Sequence, residues 1–289
     1  MDFKNGKELL ALCAADEKKI SKVMVEREIF LGGVTETDIY QRMKRALAIM
    51  TDSVHAPLKK PVKSMGGLIG GEGKKVLEYQ GNARALCGPV MTKAISYALS
   101  VLEVNGSMGL IVAAPTAGSS GVVPGSLIAI AEEFDMSEEV LIEALLNASA
   151  VGYILTRNAS VSGAEAGCQA EVGAASAMAA SAIVEMLGGS PEASLSAASM
   201  ALSNLLGLVC DPIGGLVEAP CQSRNAAGVA NAFTAAQLAL SGIYHHIPFD
   251  EMAQAMYDVG TALPFELRET ALGGNAAAPT ACTLCKKCK

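Results

Sequence analysis

The feature that most constrains the fold is the position of three cysteines within residues 160–228, an otherwise helical stretch of small residues. Cys168 follows a glycine, Cys210 precedes Asp-Pro, and Cys221 follows a proline, so each lies at a break in a helical pattern. Glycine and proline at such breaks leave backbone amides free and let a bulky inorganic group approach the chain. Iron–sulfur clusters are held by cysteine thiolates, and three protein ligands would leave one iron of a four-iron cluster open. The alternative is three small buried hydrophobic residues, since free cysteine is among the most buried residue types.

The spacing of these cysteines excludes compact metal motifs. The intervals of 42 residues (210 minus 168) and 11 residues (221 minus 210) match neither a zinc ribbon nor a ferredoxin-like run. Tertiary packing of helix ends would therefore have to bring the three thiols together.

Composition favours a mainly α-helical fold. The 289-residue chain has no tryptophan and only 4% aromatic residues, while small residues are abundant, which favours closely packed helices. The length allows one large domain or two ordinary ones. A formal net charge of −7 and a pI near 5.1 argue against nucleic acid as a partner. We expect a single large helical domain with Gly/Ser-rich loops around a buried cluster site.

The cysteines indicate the redox state of the protein's surroundings, and the hydropathy tests whether the chain could span a membrane. Eight cysteines would indicate disulfides only in a much smaller chain, and residues 1–28 do not resemble a secretory signal, so we expect a reducing cytoplasm. A mean hydropathy of +0.35 raises a membrane alternative, because residues 108–131 and 226–249 carry no Asp, Glu, Lys or Arg and are long enough to span a bilayer. Prolines and glycines interrupt the first window, and polar residues interrupt the second. Buried helices fit these windows better than membrane spans.

We divide the chain into three parts. Residues 1–62 are predicted to form an N-terminal helical arm and linker, residues 63–274 the main domain, and residues 275–289 a flexible, cysteine-rich C-terminal tail. This division follows the change of composition near residue 60 and the loss of apolar periodicity near the C-terminus.

Several helix boundaries follow from capping residues. The arm is predicted as one amphipathic helix over residues 5–31, followed by a second helix capped by Thr35. Further helices are predicted to begin at Asn82, Ser137 and Asp250, each of which can accept a hydrogen bond from the first turn.

Two loops offer donors to a substrate anion. Residues 55–75 form either a linker or, through Lys63, Ser64 and two glycine pairs, a carboxylate-binding segment. The segment TAGSSG precedes a helix, where free amides and the helix dipole favour an anion. Its candidate binding residues are Thr116, Ser119, Ser120 and Gly121. A structural turn is an equally open interpretation, and a carboxylate is favoured over a phosphate because no Walker lysine follows.

Polar residues near the cysteines complete the candidate site. Arg224 and Asn225, just after the third cysteine, are natural substrate-facing groups. Three glutamates are candidates for supporting the metal ligands: Glu165, Glu171 and Glu218. The sequence does not rank them.

The tail carries three further cysteines in a C-x-x-C-x-x-C pattern, Cys282, Cys285 and Cys288. Without a surrounding core, such a segment favours metal binding or redox chemistry over packing. It lacks a fourth ligand, so alone it would be an incomplete metal site.

Four segments together resemble a known family. They read APTAGSSGVVPG (114–125), SGAEAGCQAEVG (162–173), CDPIGGLVEAPCQSRN (210–225) and RETALGG (268–274). Over about residues 63–274 the chain is similar to the α subunit of iron–sulfur-dependent L-serine dehydratase, an L-serine ammonia-lyase. In that family a [4Fe–4S] cluster has three cysteine ligands and its fourth iron binds the substrate. The resemblance places the ligands at Cys168, Cys210 and Cys221.

The resemblance implies that the chain deaminates L-serine to pyruvate and ammonia. The open iron would act as a Lewis acid on the serine hydroxyl, and a base would take the α-proton. Pyridoxal phosphate would not be needed. Two alternatives stay open: a related cluster-dependent lyase acting on cysteine or another amino acid, and a non-catalytic metal-binding subunit.

The resemblance also implies a partner chain. The family has a second, α/β module with a histidine-bearing motif, either fused ahead of the helical part or carried on a separate β chain, whereas this sequence begins directly with helices. We therefore expect a separate β subunit, a hetero-oligomer and a catalytic base on the partner chain. In some members a C-terminal cysteine folds back onto the open iron. Cys288, Cys285 or Cys282 is a candidate for this role, although three tail cysteines and a final lysine differ from a single terminal cysteine.

Overall fold

Helices account for nearly all of the regular structure of the chain. The computed structural model describes residues 2–284, and the extended pairing within them is one parallel bridge between Cys210 and Arg268. The α-helices of this part are α1 (Gly6–Ala15), α2 (Ile20–Gly32), α3 (Glu36–Lys59), α4 (Glu72–Tyr79), α5 (Pro89–Gly106), α6 (Val122–Glu133), α7 (Glu138–Asn158), α8 (Gly163–Ala166), α9 (Ala174–Met186), α10 (Pro191–Asn204), α11 (Cys221–Leu240), α12 (Phe249–Ala262) and α13 (Pro279–Leu284). Shorter π or 3-10 turns lie at Gln169–Gly173, Ile213–Gly215, Phe265–Leu267 and Gly274–Ala277. The prediction of a mainly α-helical fold is confirmed.

Side-chain caps begin several helices where the sequence predicts them. The Thr35 hydroxyl accepts a hydrogen bond from the Asp38 amide at 3.1 Å, and the Asp38 carboxylate accepts one from the Thr35 amide at 3.0 Å, which is a capping box. Ser137 accepts a hydrogen bond from the Val140 amide and begins α7. Local sequence therefore determines these helix starts.

The N-terminal arm differs from its prediction because it contains a break. Glu17 has a positive φ of 51°, which ends α1, and α2 begins at Ile20. The first segment is thus two helices rather than one continuous helix over residues 5–31.

Two predicted caps are wrong. Asn82 accepts a hydrogen bond from a nearby loop amide, and α5 begins later, at Pro89, whose fixed φ suits a first helical turn. Asp250 lies inside the first turn of α12, and its carboxylate accepts hydrogen bonds from the amides of Gly6 at 2.6 Å and Lys7 at 2.9 Å. Asp250 therefore caps α1, a helix that precedes it by more than two hundred residues in the chain.

Helix α9 lies at the centre of the core. Every residue from Ala174 to Glu185 is buried, and the helix packs against α6, α7, α10 and α11. Eight of its thirteen residues are alanine or serine. These small side chains let the neighbouring helices approach α9 closely, as the composition predicts.

Among the described helices, α7 is long and apolar enough to cross a membrane by composition alone, with a mean hydropathy of 1.4 over its most apolar window. However, 61% of that window is buried, and the helix packs against α2 and α9. This is the placement of a core helix. The two windows considered from the sequence each combine a loop with a helix, α6 in one and α11 in the other.

The N-terminal helices pack on the rest of the molecule. Helix α2 lies against α7, and α3 lies against α5. Phe3, Leu9 and Ile20 are completely buried and belong to the same apolar cluster as α9. The division of the chain at residues 62 and 274 stays a prediction.

Replacing Gly125 with alanine is expected to destabilise the fold. Helix α6 approaches α5 so closely that a Cβ at Gly125 would lie 2.8 Å from Ala98 N and 2.9 Å from Ala94 O. Overpacking of this kind typically costs about 1–3 kcal/mol, which urea unfolding followed by circular dichroism measures. The control is Gly32→Ala at the end of α2, where the nearest atom would be 3.6 Å away. Equal stability of the two variants would contradict the close contact of α5 with α6.

Candidate metal centre

Cys168 lies at the start of the π-helical turn that leads into α9. The turn covers Gln169–Gly173, and such turns are frequent at functional sites. Gln169 holds it in place: its backbone amide donates to the Leu208 carbonyl at 2.9 Å, and its side-chain oxygen accepts from the Gly207 amide at 2.9 Å. Cys168 is thereby attached to the segment that leads to the second cysteine.

Cys210 is held by the parallel bridge. Its amide donates to the Leu267 carbonyl at 2.8 Å, and its carbonyl accepts from the Glu269 amide at 2.7 Å. Glu269 belongs to the RETALGG segment. That segment therefore positions the second cysteine through the backbone.

Cys221 begins α11 and lies against a different part of the protein. Its side chain packs with Ile69 and Leu102, and its carbonyl accepts a hydrogen bond from Asn225 Nδ2 at 2.9 Å. All three cysteines are buried, with exposed fractions of 2% for Cys168, 2% for Cys210 and 6% for Cys221.

Two of the cysteines form a compact group with a carboxylate. The sulfur atoms of Cys168 and Cys210 and one oxygen of Glu171 all lie within 4.8 Å of one another. Glu171 Oε2 is 3.9 Å from Cys168 Sγ and 3.8 Å from Cys210 Sγ. The other carboxylate oxygen accepts a hydrogen bond from Thr116 Oγ1 at 2.7 Å. The two sulfur atoms are soft donors and the carboxylate oxygen is a hard donor, and all three could bind a metal.

The compact group depends on the absence of a side chain at Gly163. A Cβ at this position would lie 2.5 Å from Glu171 Oε2 and 3.1 Å from Cys210 Sγ. Gly163 opens α8, the short helix just before Cys168. The glycine in the SGAEAGC segment therefore makes room for the donor atoms.

Arg224 connects the cysteine-bearing segments. One guanidinium nitrogen, Nη1, donates to the Val209 carbonyl at 2.8 Å and lies 3.5 Å from Cys168 Sγ. The other, Nη2, pairs with the buried Asp211 carboxylate at 2.7 Å. The predicted substrate-facing arginine is thus already bound to the protein, with its charge next to a sulfur.

The pKa values of three acidic groups of the site are raised above their ordinary values. The nearby Cys168 thiol and then burial raise the pKa of the Cys210 thiol. Burial, and then the charges of Cys168 and Glu171, raise the pKa of Cys221 to about 12. Burial also raises the pKa of the Glu171 carboxyl, against an opposing hydrogen bond from Thr116. In the protein alone, all three shifts favour the protonated, neutral forms.

The TAGSSG loop lies beside the compact group of Cys168, Cys210 and Glu171, and Thr116 joins it to Glu171 by a hydrogen bond. Ser119 Oγ lies 3.1 Å from Thr116 Oγ1, and Ser120 Oγ donates to a carbonyl within the loop. Asn225 is completely buried, and it accepts from the Gly121 amide at 3.0 Å while its Nδ2 donates to the Gly118 carbonyl at 2.8 Å. The predicted binding residues Thr116, Ser119, Ser120, Gly121 and Asn225 are brought together. Their substrate-binding role stays a prediction.

The second predicted anion loop is closed by protein groups. Lys63 is exposed, and the hydroxyl of Ser64 donates to the Ile69 carbonyl at 3.1 Å. The amides of Gly66 and Leu68 donate to the carboxylate of Glu218. The amides of Gly66 and Leu68 are therefore occupied by a side chain of the protein, and Lys63 is an exposed cation of this loop.

The tail lies only partly within the described residues. Cys282 is exposed on α13, which packs against the turn at Ile213–Gly215, a few residues after Cys210. Cys285 and Cys288 lie outside the described residues.

Sequence reasoning did not identify Gln169 and Asp211, and it did not rank Glu171 above the other glutamates. Each of the first two directly follows a cysteine, and Glu171 lies three residues after Cys168. Residues three apart lie on the same face of a helical turn. Proximity in sequence to the cysteines was the signal that could have found all three.

The donor set is compatible with a thiolate-bound metal centre, such as an iron–sulfur cluster. Two thiols and a carboxylate are close together, whereas Cys221 lies outside that compact group, at the start of the helix that carries Arg224. The three thiols of a cluster bind three different irons, so a cluster does not require them to meet at one point. Metal binding would also reverse the pKa shifts, because a coordinating thiol is deprotonated.

Comparisons with known proteins agree with the motif pattern. The sequence matches the family described as serine dehydratase alpha chain over residues 4–276. A protein of Bacillus subtilis strain 168 described as a probable L-serine dehydratase, alpha chain, is 48% identical over 285 residues, which are 99% of this chain and 95% of that protein.

Two further relatives differ in the share of their length that is matched. The L-serine dehydratase, alpha chain, of Peptoniphilus asaccharolyticus is 43% identical over 275 residues, 95% of this chain and 94% of that protein. The L-serine dehydratase of Streptomyces coelicolor is 35% identical over 285 residues, 95% of this chain but 60% of that protein.

In the metal-free chain, Cys221 is expected to react slowly with iodoacetamide. The thiolate is the reactive form, so a pKa raised to about 12 lowers the reactive fraction and makes the rate rise with pH up to that value. Near neutral pH the rate should lie far below that of the exposed Cys87, as measured by mass spectrometry of labelled peptides. Equal rates for the two thiols would contradict a buried, protonated Cys221.

Proposed function

Because the chain belongs to the serine dehydratase alpha chain family, we propose that it deaminates L-serine to pyruvate and ammonia by dehydration, with an iron–sulfur cluster. The observation that carries the proposal is the compact group of Cys168, Cys210 and Glu171, buried inside the matched region. Thiols on separate segments that converge with a carboxylate are typical of a metal centre rather than of apolar packing.

Three residues would hold a [4Fe–4S] cluster: Cys168, Cys210 and Cys221. When bound, such a cluster with three protein ligands supplies an open iron that acts as a Lewis acid on the substrate hydroxyl. Pyridoxal phosphate has no part in this proposal.

Arg224 supports the proposal through its charge. Its guanidinium lies 3.5 Å from Cys168 Sγ, so its positive charge can stabilise a sulfur ligand there. Asp211 holds the guanidinium in place through the 2.7 Å ion pair. We therefore assign Arg224 to the support of the sulfur ligands first and to substrate binding second.

Serine needs a binding site for its carboxylate next to the metal centre. The TAGSSG loop precedes α6 and contacts Glu171 through Thr116. The Thr116 hydroxyl now donates to Glu171, and Ser119 Oγ lies against Thr116 Oγ1, so in the proposal these two hydroxyl groups exchange these partners for the carboxylate, and the exposed Lys63 of the second loop is a further donor. A carboxylate held there would lie beside the compact group.

The proposal includes a β subunit. Two relatives matched over most of their length are named as alpha chains, and the Streptomyces coelicolor protein extends well beyond the matched part. We propose that a separate β chain corresponds to the further part of that relative and carries the group that takes the α-proton. The active form is then a hetero-oligomer, and a reducing compartment such as the cytoplasm suits its free thiols.

The tail is part of the proposal as a ligand that competes with serine. Helix α13, which carries Cys282, packs against the turn at Ile213–Gly215, in the segment that follows Cys210. We propose that a tail cysteine occupies the open iron in the resting enzyme, with Cys288 and Cys285 as further candidates.

Replacing Cys168, Cys210 or Cys221 with serine is expected to abolish cluster content and activity together, since each would hold one iron. Iron and sulfide content, the visible spectrum and pyruvate formation are measured after anaerobic reconstitution with the β chain. The exposed Cys87→Ser serves as the control and should keep all three properties. Full iron content in the three cysteine variants would show that the ligand assignment is wrong.

The chain reconstituted without a β subunit is expected to be inactive with serine, because the proton-abstracting group would be missing. Adding the β chain should restore pyruvate formation to the wild-type chain and leave the Cys168→Ser variant inactive. Rapid deamination by the isolated chain would contradict the need for a partner.

A further inference from the structure

The carboxylate of Glu218 is buried and binds the backbone of a distant loop. Only 2% of this residue is exposed. Oε1 accepts a hydrogen bond from the Gly66 amide at 2.6 Å, and Oε2 accepts one from the Leu68 amide at 3.0 Å. Both oxygens of one buried charge are thus satisfied by a loop about 150 residues earlier in the chain.

The loop at residues 64–70 is a closed turn next to the third cysteine. The Ser64 amide donates to the Ile69 carbonyl at 3.1 Å, and the Met65 amide donates to the Gly106 carbonyl at 2.8 Å. The side chain of Ile69 belongs to the same small buried cluster as Cys221 and Leu102. The turn therefore lies against the cluster that contains Cys221.

Glu218 also belongs to the segment that positions Cys221. Its carbonyl accepts a hydrogen bond from the Gln222 amide at 2.9 Å, within the first turn of α11. Gln222 Nε2 donates to the Leu99 carbonyl at 3.2 Å and so attaches this turn to α5. Glu218 thus contacts both the turn at residues 64–70 and the start of the helix that bears Cys221.

The contact between the turn and Glu218 leaves no room for a side chain at Gly66. A Cβ there would lie 2.6 Å from Leu216 Cδ1 and 2.7 Å from Glu218 Oε1. The φ of Gly66 is not positive, so alanine would be allowed by its backbone conformation. A substitution at this position would therefore displace the turn without changing the carboxylate.

We propose that Glu218 is a positioning residue that holds the turn at residues 64–70 closed over Cys221. The closed turn limits access to that thiol and sets the position of Lys63 and Ser64 relative to the metal centre. The importance of Cys221 as a ligand rests on the proposed function, whereas closure of the turn requires neither iron nor serine.

The physical reason is the cost of removing one partner from a buried charged hydrogen bond. Hydrogen bonds to an ionised group are stronger than neutral ones, and a buried amide left without an acceptor is destabilised. In Glu218→Gln, one carboxylate oxygen becomes an NH₂ group that faces the amide of Gly66 or Leu68 and cannot accept from it. The turn should then open more often.

The test uses the full-length chain without iron. Glu218→Gln is expected to raise the alkylation rate of Cys221 by iodoacetamide about tenfold or more, on the scale of a lost charged hydrogen bond. Hydrogen exchange of residues 64–70 should accelerate with it. Glu218→Asp, which keeps the charge on a shorter side chain, should lie between wild type and Glu218→Gln.

Glu185→Gln is the matched control. Glu185 is a buried carboxylate that accepts from the Ser21 amide at 3.3 Å and from Asn147 Nδ2 at 2.8 Å, and its charge acts on Cys13. Both bonds go to Oε2, so a glutamine can keep them through its carbonyl oxygen. This variant changes a buried carboxylate elsewhere in the fold and should leave the labelling of Cys221 unchanged. Equal labelling of both cysteines in Glu218→Gln would mean general destabilisation and would overturn the proposal.

Gly66→Ala is the second variant and decides the matter if Glu218→Gln does not fold. It should expose Cys221 and leave Cys13 protected. Unchanged labelling of Cys221 in Gly66→Ala, or in a folded Glu218→Gln, would overturn the proposal.

A last measurement links the turn to the metal centre. In the reconstituted complex with the β chain, Glu218→Gln should lose iron to a chelator faster than wild type and raise the KM for serine more than it lowers kcat. If the wild-type chain binds no iron, the proposed function fails, and the labelling of Cys221 still decides the role of Glu218.

Discussion

A single, partly buried guanidinium joins the three chain segments that carry the cysteines. Arg224 lies one helical turn after Cys221, contacts Cys168 Sγ at 3.5 Å, and pairs with Asp211 at 2.7 Å beside Cys210. Because Asp211 is buried, it needs this counter-charge, and a buried pair tolerates little change in geometry. The same cation is placed to stabilise thiolate. This one electrostatic contact therefore links the segments of all three cysteines, in addition to the backbone bonds and packing that hold each of them.

Carboxylates do similar work elsewhere in the molecule. Asp250 binds the first turn of α1, Glu103 binds the Gly73 amide at the start of α4, and Glu218 binds the turn at residues 64–70. Each joins segments that are distant in sequence. In a core rich in alanine, such charged hydrogen bonds are directional, which packing of small side chains alone is not.

The arrangement of the site also bears on its chemistry. Most polar groups around the cysteines are bonded to one another, as Asn225 is to the TAGSSG loop and Thr116 is to Glu171. A network of this kind holds the metal ligands rigidly. In the described part of the chain it leaves Lys63 as an exposed cation of the predicted site. The proposal of a proton acceptor on a partner chain is consistent with this arrangement.

The sequence by itself determined the mainly helical fold, the helix starts at Thr35 and Ser137, and the family, because hydrophobic periodicity, capping residues and contiguous motifs are local signals. It could not select Glu171 from three glutamates. It also assigned Asp250 to the wrong helix, since that carboxylate caps α1. Only the tertiary structure decided which carboxylate meets which backbone amide or sulfur. Such pairs lie tens to hundreds of residues apart, and the packing of helices brings them within hydrogen-bond distance.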